Sequence, residues 1–204
     1  MTDSGHELEV KFLLSNLPAL QARLQDLGAH LVHERVYEIN LRFDTPDEAL
    51  RRSSQVLRLR QDHEVRITYK GPSQSKAGVL MRREIEFTVG DYQAALDLLD
   101  ALGYQVLVMY EKYRTTYAWS GVHILLDELP YGDFVEVEGS QPDMIRLVSN
   151  RLKLDWGCRI LDSYTQIFDK LRHIQGFTFR DLSFANFSDL VVDLGALGIN
   201  PADQ

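Results

Sequence analysis

The sequence predicts an α+β fold built on one antiparallel β-structure of about eight strands, with helices inserted and appended. Three features predict it. Short segments rich in Val, Ile, Tyr and Phe recur between polar turns over residues 7–138. Helically spaced segments are few and do not alternate regularly with the strands. Within the strands, ionisable and apolar side chains alternate, so one face is charged and the other greasy.

Residues 7–14 alternate and read as the first strand. Residues 16–28 read as a helix, with Leu17, Leu20, Leu24 and Leu27 on one face, Asn16 as cap, Pro18 in the first turn and Gly28 at the end. Residues 30–44 are extended, and 45–53 form a polar turn. Strands at 56–60 and 64–70 are joined by a tight turn. Gly, Pro, Ser and Lys make 71–78 a loop. Residues 79–89 are strand, and 91–102 are helix, with Ala95, Leu98, Leu99 and Leu102 aligned and Gly103 as the stop. Segments 105–119 and 122–129 form a hairpin about Ser120-Gly121, and 133–138 is the last strand. Helices are expected at 143–154 and 162–175. A Phe-rich stretch then leads to a short apolar helix around 190–197. The expected organisation is a domain over 1–175 with a C-terminal appendage, 176–204, packed on it. Phe177, Phe179, Phe184 and Phe187 are read as internal packing.

The chain has 204 residues, 45% hydrophobic and 25% charged, which fits one globular domain and excludes disorder. It lacks the ~18 consecutive apolar residues of a membrane helix, and the first residues lack the basic and apolar regions of a secretory leader. Cys158 is the single cysteine, which excludes an internal disulfide and a thiolate metal site. A cytoplasmic location is the expectation. The net charge of -8 argues against duplex nucleic acid as partner. It does not exclude a small polyanion, because a site depends on where its few local charges point.

The charged face carries Lys11, Arg58, Arg60, Arg66, Lys70, Arg82, Lys112 and Arg114, together with Glu7, Glu9, Glu84, Glu86, Asp127, Glu136 and Glu138. Two arrangements account for it. In an open antiparallel sheet this face is simply solvated, with cross-strand pairs adding a little stability. In a closed barrel the charges point inward and the apolar faces turn out beneath the helices; about eight strands suffice to enclose a small ligand. Such a lumen must be hydrated and cross-paired, since dry unpaired ions cost several kcal/mol each. Two details favour the barrel. Most of the cations are Arg, whose planar fork matches phosphate oxygens. The carboxylates recur as Glu-x-Glu pairs, whose side chains lie roughly 6.5 Å apart along a strand and suit a hard divalent cation. The six His show no zinc-like spacing.

Several short motifs occur in order: Glu7-Leu8-Glu9-Val10-Lys11, Phe43-Asp44-Thr45-Pro46, Leu57-Arg58-Leu59-Arg60 and Thr68-Tyr69-Lys70-Gly71-Pro72. Arg83-Glu84-Ile85-Glu86, Glu111-Lys112-Tyr113-Arg114, Leu126-Asp127, Val135-Glu136-Val137-Glu138 and Asp162-Ser163-Tyr164 follow. This series, over residues 6–170, resembles the CYTH superfamily, the triphosphate tunnel metalloenzymes. The resemblance implies a closed eight-stranded antiparallel barrel, a tunnel with a charged lumen and helices outside. It implies a small-molecule triphosphate as ligand, Mg²⁺ or Mn²⁺ as cofactor, and a monomer or homodimer.

Carried onto this chain, the resemblance makes Lys11, Arg58, Arg60, Lys70, Arg82, Lys112 and Arg114 triphosphate-binding. It makes Glu9, Asp127, Glu136 and Glu138 metal-binding, and Glu7, Glu9, Lys11 and Glu86 catalytic. Arg83 competes with Arg82 if the register slips. The implied activity is hydrolysis of a triphosphate phosphoanhydride, inorganic tripolyphosphate foremost. The alternatives are a class IV adenylyl cyclase, a thiamine triphosphatase, or a non-catalytic polyphosphate- or nucleotide-binding module. Two departures stand out. Asn40-Leu41-Arg42-Phe43 has Arg42 where members often carry an aromatic. His6 precedes Glu7 without the Phe that tends to accompany it in the cyclase branch.

Overall fold

The computed structural model describes residues 6–204, with every side chain in that span except those of His6, Glu7 and Lys76. The strands are β1 (His6–Leu14), β2 (His30–Asp44), β3 (Val56–Gln61), β4 (Val65–Lys70), β5 (Gln74–Lys76), β6 (Val79–Val89), β7 (Gln105–Trp119), β8 (Val122–Leu129) and β9 (Gly132–Gly139). The helices are α1 (Leu17–Asp26), α2 (Ala49–Arg52), α3 (Tyr92–Ala101), α4 (Pro142–Arg151), α5 (Tyr164–Gln175) and α6 (Phe184–Phe187).

The strands run in the order β1-β9-β8-β7-β2-β3-β4-β6, and β6 pairs back onto β1 with Leu8 opposite Met81 and Glu9 opposite Leu80. Every pairing in this ring is antiparallel. The closed barrel, not the open sheet, is therefore the arrangement. Closure leaves no free edge in the ring.

Segment 71–78 differs from its reading as a loop. Gln74 pairs with Met81 and Lys76 with Val79, so β5 adds a ninth strand beside β6. Ala77 (φ 51) and Gly78 (φ 80) form the two-residue turn between them, both left-handed as a tight hairpin requires. Three residues are too few to display alternation, which is why composition alone suggested a loop.

The apolar strand faces turn outward under helices. Leu20 and Leu24 of α1 and Ile145 and Val148 of α4 pack on Val10, Phe12, Ile124, Leu126, Val135 and Val137. Ala95 and Leu99 of α3 pack on Phe43 and Leu59. Coverage stops at β6, where Ile85 (42%) and Phe87 (54%) remain exposed outside the barrel. The caps follow the sequence signals: Asn16 accepts from the Ala19 N–H at 3.0 Å, and Asp91 accepts from Ala94 at 3.0 Å. Asp44 of the Phe-Asp-Thr motif has a structural task. Its buried carboxylate accepts from the N–H groups of Thr45, Leu50 and Arg51 at 2.8–2.9 Å and so holds α2.

One end of the barrel is plugged. Ile167, Phe168 and Leu171 of α5 join Leu13, Tyr110 and Phe134 in a core that also takes Leu182, Phe187 and Leu194. The segment after α5 is stitched to the barrel. The Leu182 N–H donates to the Met109 carbonyl, Glu111 N–H to the Leu182 carbonyl, and Ala202 N–H to the Leu13 carbonyl, each at 2.9 Å. Phe177, Phe179 and Phe187 pack on one another, with Phe177 and Phe179 centroids 5.2 Å apart, and Phe184 lies 5.4 Å from Tyr113. The helix expected around 190–197 is not formed. A turn of α6 and a 3₁₀ turn at Gly195–Leu197 replace it, because Leu194 and Leu197 are needed as isolated anchors in the plug rather than as one helical face. Among the described residues, no helix is long and apolar enough to cross a membrane.

Candidate active site

The inward face of the ring lines a cavity of about 530 Å³. Alternation delivers Glu9 and Lys11 from β1, Arg58 and Arg60 from β3, and Lys70 from β4. It delivers Arg82 and Glu86 from β6, Lys112 and Arg114 from β7, and Glu136 and Glu138 from β9. Arg66 and Glu84 line the cavity as well. The register at β6 is settled: Arg82 lines the cavity, while Arg83 is exposed. Glu7 lies on β1, but its side chain is outside the described residues.

The charges are held by one another. Lys11 Nζ lies 2.8 Å from Glu136 Oε1, and Arg114 donates to Glu136 Oε2 at 2.7 Å. Arg82 donates to Glu9 at 2.7 Å. Lys70 pairs with Glu84 at 3.1 Å, and Arg60 with Glu86 at 3.3 Å. The Arg58 guanidinium donates to the Tyr110 hydroxyl at 3.3 Å and to Thr68 at 3.2 Å, while Thr68 donates to Glu86 at 2.7 Å. Burial pushes the Glu136 carboxyl up, but Lys11, Arg114 and Lys112 outweigh it and hold it well below the carboxylate range. Burial likewise works against the Lys11 ammonium, and Glu136 and Glu9 more than offset it, so its pKa is raised.

Ligand oxygens of Glu9, Glu136 and Glu138 lie within 4.8 Å of one another. Three carboxylates converging with oxygen donors alone suit a hard divalent cation. Asp127 stands apart from this trio. It is fully buried, and its carboxylate accepts from Lys112 at 3.0 Å, from Arg114 Nε at 2.6 Å and from the Tyr164 hydroxyl at 2.8 Å. Asp127 thus anchors two lumen cations from beneath.

Glu38, Tyr110 and Tyr164 are among the lumen groups that had no role assigned from the sequence. Glu38 of β2 is buried between Lys112, at 3.6 Å, and Arg60, at 3.8 Å. Its signal was the alternation Glu38-Asn40-Arg42 against Ile39-Leu41-Phe43, masked by irregular register at Leu31/His33 and His33/Val36. Tyr110 lies among apolar neighbours in sequence. Tyr164 reaches the site from a helix, with Lys11 Nζ 4.6 Å from its ring centre. Thr68, which alternation places beside Arg66 and Lys70, is buried behind the cavity wall on β4.

Burial pushes the Glu38 carboxyl up, but Lys112, Arg114, Arg60 and Arg58 bring it down from 4.5 to about 2. A carboxyl lowered on folding stabilises the protein above its unfolded pKa, and that contribution is lost as pH falls through the folded value. The melting temperature is therefore expected to fall steadily between pH 4.5 and pH 2. Glu38→Gln should flatten that slope. An equally steep acid slope in the variant would remove Glu38 from this role.

The CYTH domain family model matches residues 5–148. A Methanocaldococcus jannaschii protein provisionally named an adenylate cyclase is 26% identical over 140 residues, 68% of this chain and 79% of that protein. The adenylate cyclase CyaB of Aeromonas hydrophila is 28% identical over 152 residues, 72% of this chain and 76% of that protein. Among solved structures, the PH1012 protein of Pyrococcus horikoshii superposes with a TM-score of 0.67 at 26% identity, covering 78% of this chain and 98% of that one. A Hippeastrum protein provisionally named an adenylyl cyclase, and described as having a dominant triphosphatase activity, shares the fold. Its TM-score is 0.61 at 22% identity, over 80% of this chain and 95% of that one. With the ring of antiparallel strands, the charged lumen and a family match over most of its length, the chain belongs to the CYTH family.

Proposed function

We propose that this protein hydrolyses the terminal phosphoanhydride of a linear triphosphate, inorganic tripolyphosphate first among them, with Mg²⁺ or Mn²⁺ as cofactor. CYTH enzymes include triphosphatases and adenylyl cyclases and are metal-dependent. The observation that carries the hydrolytic reading is the sharing of one lumen by an array of Arg and Lys and the trio Glu9, Glu136 and Glu138. A pure anion receptor has no use for three converging carboxylates.

In this reading Arg58, Arg60, Lys70, Lys112 and Arg114 bind the phosphate oxygens and spread their charge. Lys11 and Arg82 trade part of their present pairing with Glu136 and Glu9 for phosphate contacts, which frees those carboxylates, with Glu138, to hold the cation. When bound, the ion would supply charge neutralisation at the phosphates and make the attacking water more acidic. Phosphoryl transfer needs alignment and charge stabilisation more than covalent participation. The cations hold the chain so that a water oxygen attacks the terminal phosphorus in line as the bridging P–O bond breaks, giving pyrophosphate and orthophosphate. Glu86, partly open to lumen water at 31% side-chain exposure, is the protein group suited to accept the water's proton. Asp127 serves this reading as the support of Lys112 and Arg114. A small soluble substrate, no duplex nucleic acid and a cytoplasmic setting complete it.

The names of the two relatives favour a second reading, in which the ribose 3′-hydroxyl of ATP attacks the α-phosphate and cyclic AMP forms. Incubation with tripolyphosphate, thiamine triphosphate and ATP, each with Mg²⁺ or Mn²⁺, separates the two. Orthophosphate release, fastest from tripolyphosphate, supports the hydrolase; cyclic AMP as the main product from ATP overturns it. Within the same assay Arg58→Ala is expected to raise KM about 10- to 100-fold, the equivalent of losing charge-assisted hydrogen bonds worth ~1.5–3 kcal/mol, with a smaller change in kcat. An unchanged KM would make Arg58 a structural residue.

A further inference from the structure

Tyr164, in the first turn of α5, reaches the lumen from the plug rather than from a strand. Its place is tightly fixed. The capping box at Ser163 sets the start of α5. The Tyr131 hydroxyl donates to the Tyr164 carbonyl at 2.9 Å. The Phe134 and Tyr164 rings meet edge to face with centroids 5.3 Å apart. The Tyr164 side chain is buried, and its hydroxyl donates to Asp127 at 2.8 Å. Burial, Asp127 and Glu136 raise its pKa, so the phenol keeps its proton and carries no charge.

Two buried ammonium groups lie over this ring. Lys11 Nζ is 4.6 Å from the ring centre and Lys112 Nζ is 5.4 Å from it. Both are within reach of the negative ring face, whose pull on a cation grows when water is excluded. The ring differs in kind from the other partners of these lysines. Glu136 holds Lys11, and Asp127 and Glu38 hold Lys112, each with a full negative charge. A carboxylate neutralises an ammonium group and competes with phosphate for its N–H donors. A ring face attracts the cation without neutralising it. When Glu136 leaves Lys11 for the divalent cation, as the hydrolytic reading requires, the ring remains as a partner of Lys11.

We propose that Tyr164 is a positioning residue for triphosphate binding, its ring face holding the Lys11 and Lys112 ammonium groups toward the phosphates with their charge intact. This rests on the triphosphate reading above and adds a residue to that site. Tyr164 acts through the two lysines and touches neither the phosphates nor the metal.

The test is calorimetric titration of tripolyphosphate in EDTA, where no metal supports turnover. Tyr164 is replaced by phenylalanine, 3-fluorophenylalanine or 3,5-difluorophenylalanine. All three lack the hydroxyl and keep the ring. Fluorine weakens the negative ring face, and the meta positions keep it away from Asp127. Tyr164→Phe is expected to bind within about threefold of wild type. The dissociation constant should then rise with each fluorine, to about tenfold above Tyr164→Phe at two, while the melting temperature stays that of Tyr164→Phe. Tyr164→Leu, which removes the ring, should bind at least as weakly as the difluoro variant. If Tyr164→Leu does not fold, the fluorinated pair decides, because their shapes are close to that of phenylalanine. An affinity that does not follow fluorination makes Tyr164 a packing residue, overturns the positioning role and leaves the triphosphate reading standing. Failure of the wild type to bind tripolyphosphate overturns both.

Discussion

Glu138→Gln is expected to lower metal-supported kcat/KM about a thousandfold, the equivalent of ~4 kcal/mol of transition-state stabilisation, while the protein keeps its fold. The choice of Glu138 follows from how the trio is held. Glu136 is buried and gripped by Lys11 and Arg114, so neutralising it also unbalances two buried cations. Glu138 is less buried and sits beside Glu9 across the β1–β9 ladder. Replacing one oxygen by an amide removes a charge and a metal ligand with little change of shape. Steady-state kinetics, calorimetric Mn²⁺ titration and a melting curve together check it. The expected pattern is a large kinetic loss, a weakened Mn²⁺ affinity and a melting temperature within a few degrees of wild type. Full activity at saturating Mg²⁺ would remove Glu138 from the metal site.

Asp127→Asn is expected to act differently, through stability. The carboxylate accepts from Lys112, Arg114 and Tyr164 at a site sealed from solvent. An amide there leaves two buried cations short of a counter-charge, a change that costs about 3–5 kcal/mol. For a domain of this size that corresponds to a melting temperature lower by roughly 6–20 °C. Thermal unfolding in EDTA checks it, because a residue whose only task is to bind metal would show no loss under metal-free conditions. An unchanged melting temperature in EDTA, with weakened Mn²⁺ binding, would return Asp127 to the ligand set.

Face assignment was the part of the fold most legible in the sequence. A period of two places Lys11 with Glu9, Arg58 with Arg60, and Glu136 with Glu138 on one side without knowledge of any partner strand. Closure was not legible in that pattern, because it depends on β1 pairing with β6 across more than sixty residues of chain, and an open sheet shows the same alternation. The ordered motifs supplied what periodicity lacked. Glu38 escaped because irregular register breaks the alternation of β2 just ahead of it. Tyr164 stood in one of the ordered motifs but received no role, because a side chain delivered by a helix obeys no strand period. Asp127 shows a different limit: a buried carboxylate that anchors cations and one that holds a metal look alike in sequence, and the melting experiment in EDTA decides between them. The C-terminal segment was misread in detail for a related reason. Its apolar residues, Leu182, Phe187 and Leu194, are spaced by where the barrel end needs filling, not by the turn of a helix.

The central claim is that the polyphosphate chain and its divalent cation occupy the interior of the barrel together. Crystals grown with tripolyphosphate and Mn²⁺, with data collected at a wavelength where manganese scatters anomalously, test this most directly. An anomalous peak within about 2.5 Å of carboxylate oxygens of Glu9, Glu136 and Glu138, with phosphate density against Arg58, Arg60 and Lys112, is the predicted result. Manganese bound elsewhere, or phosphate density confined to the outer surface of the ring, would contradict it.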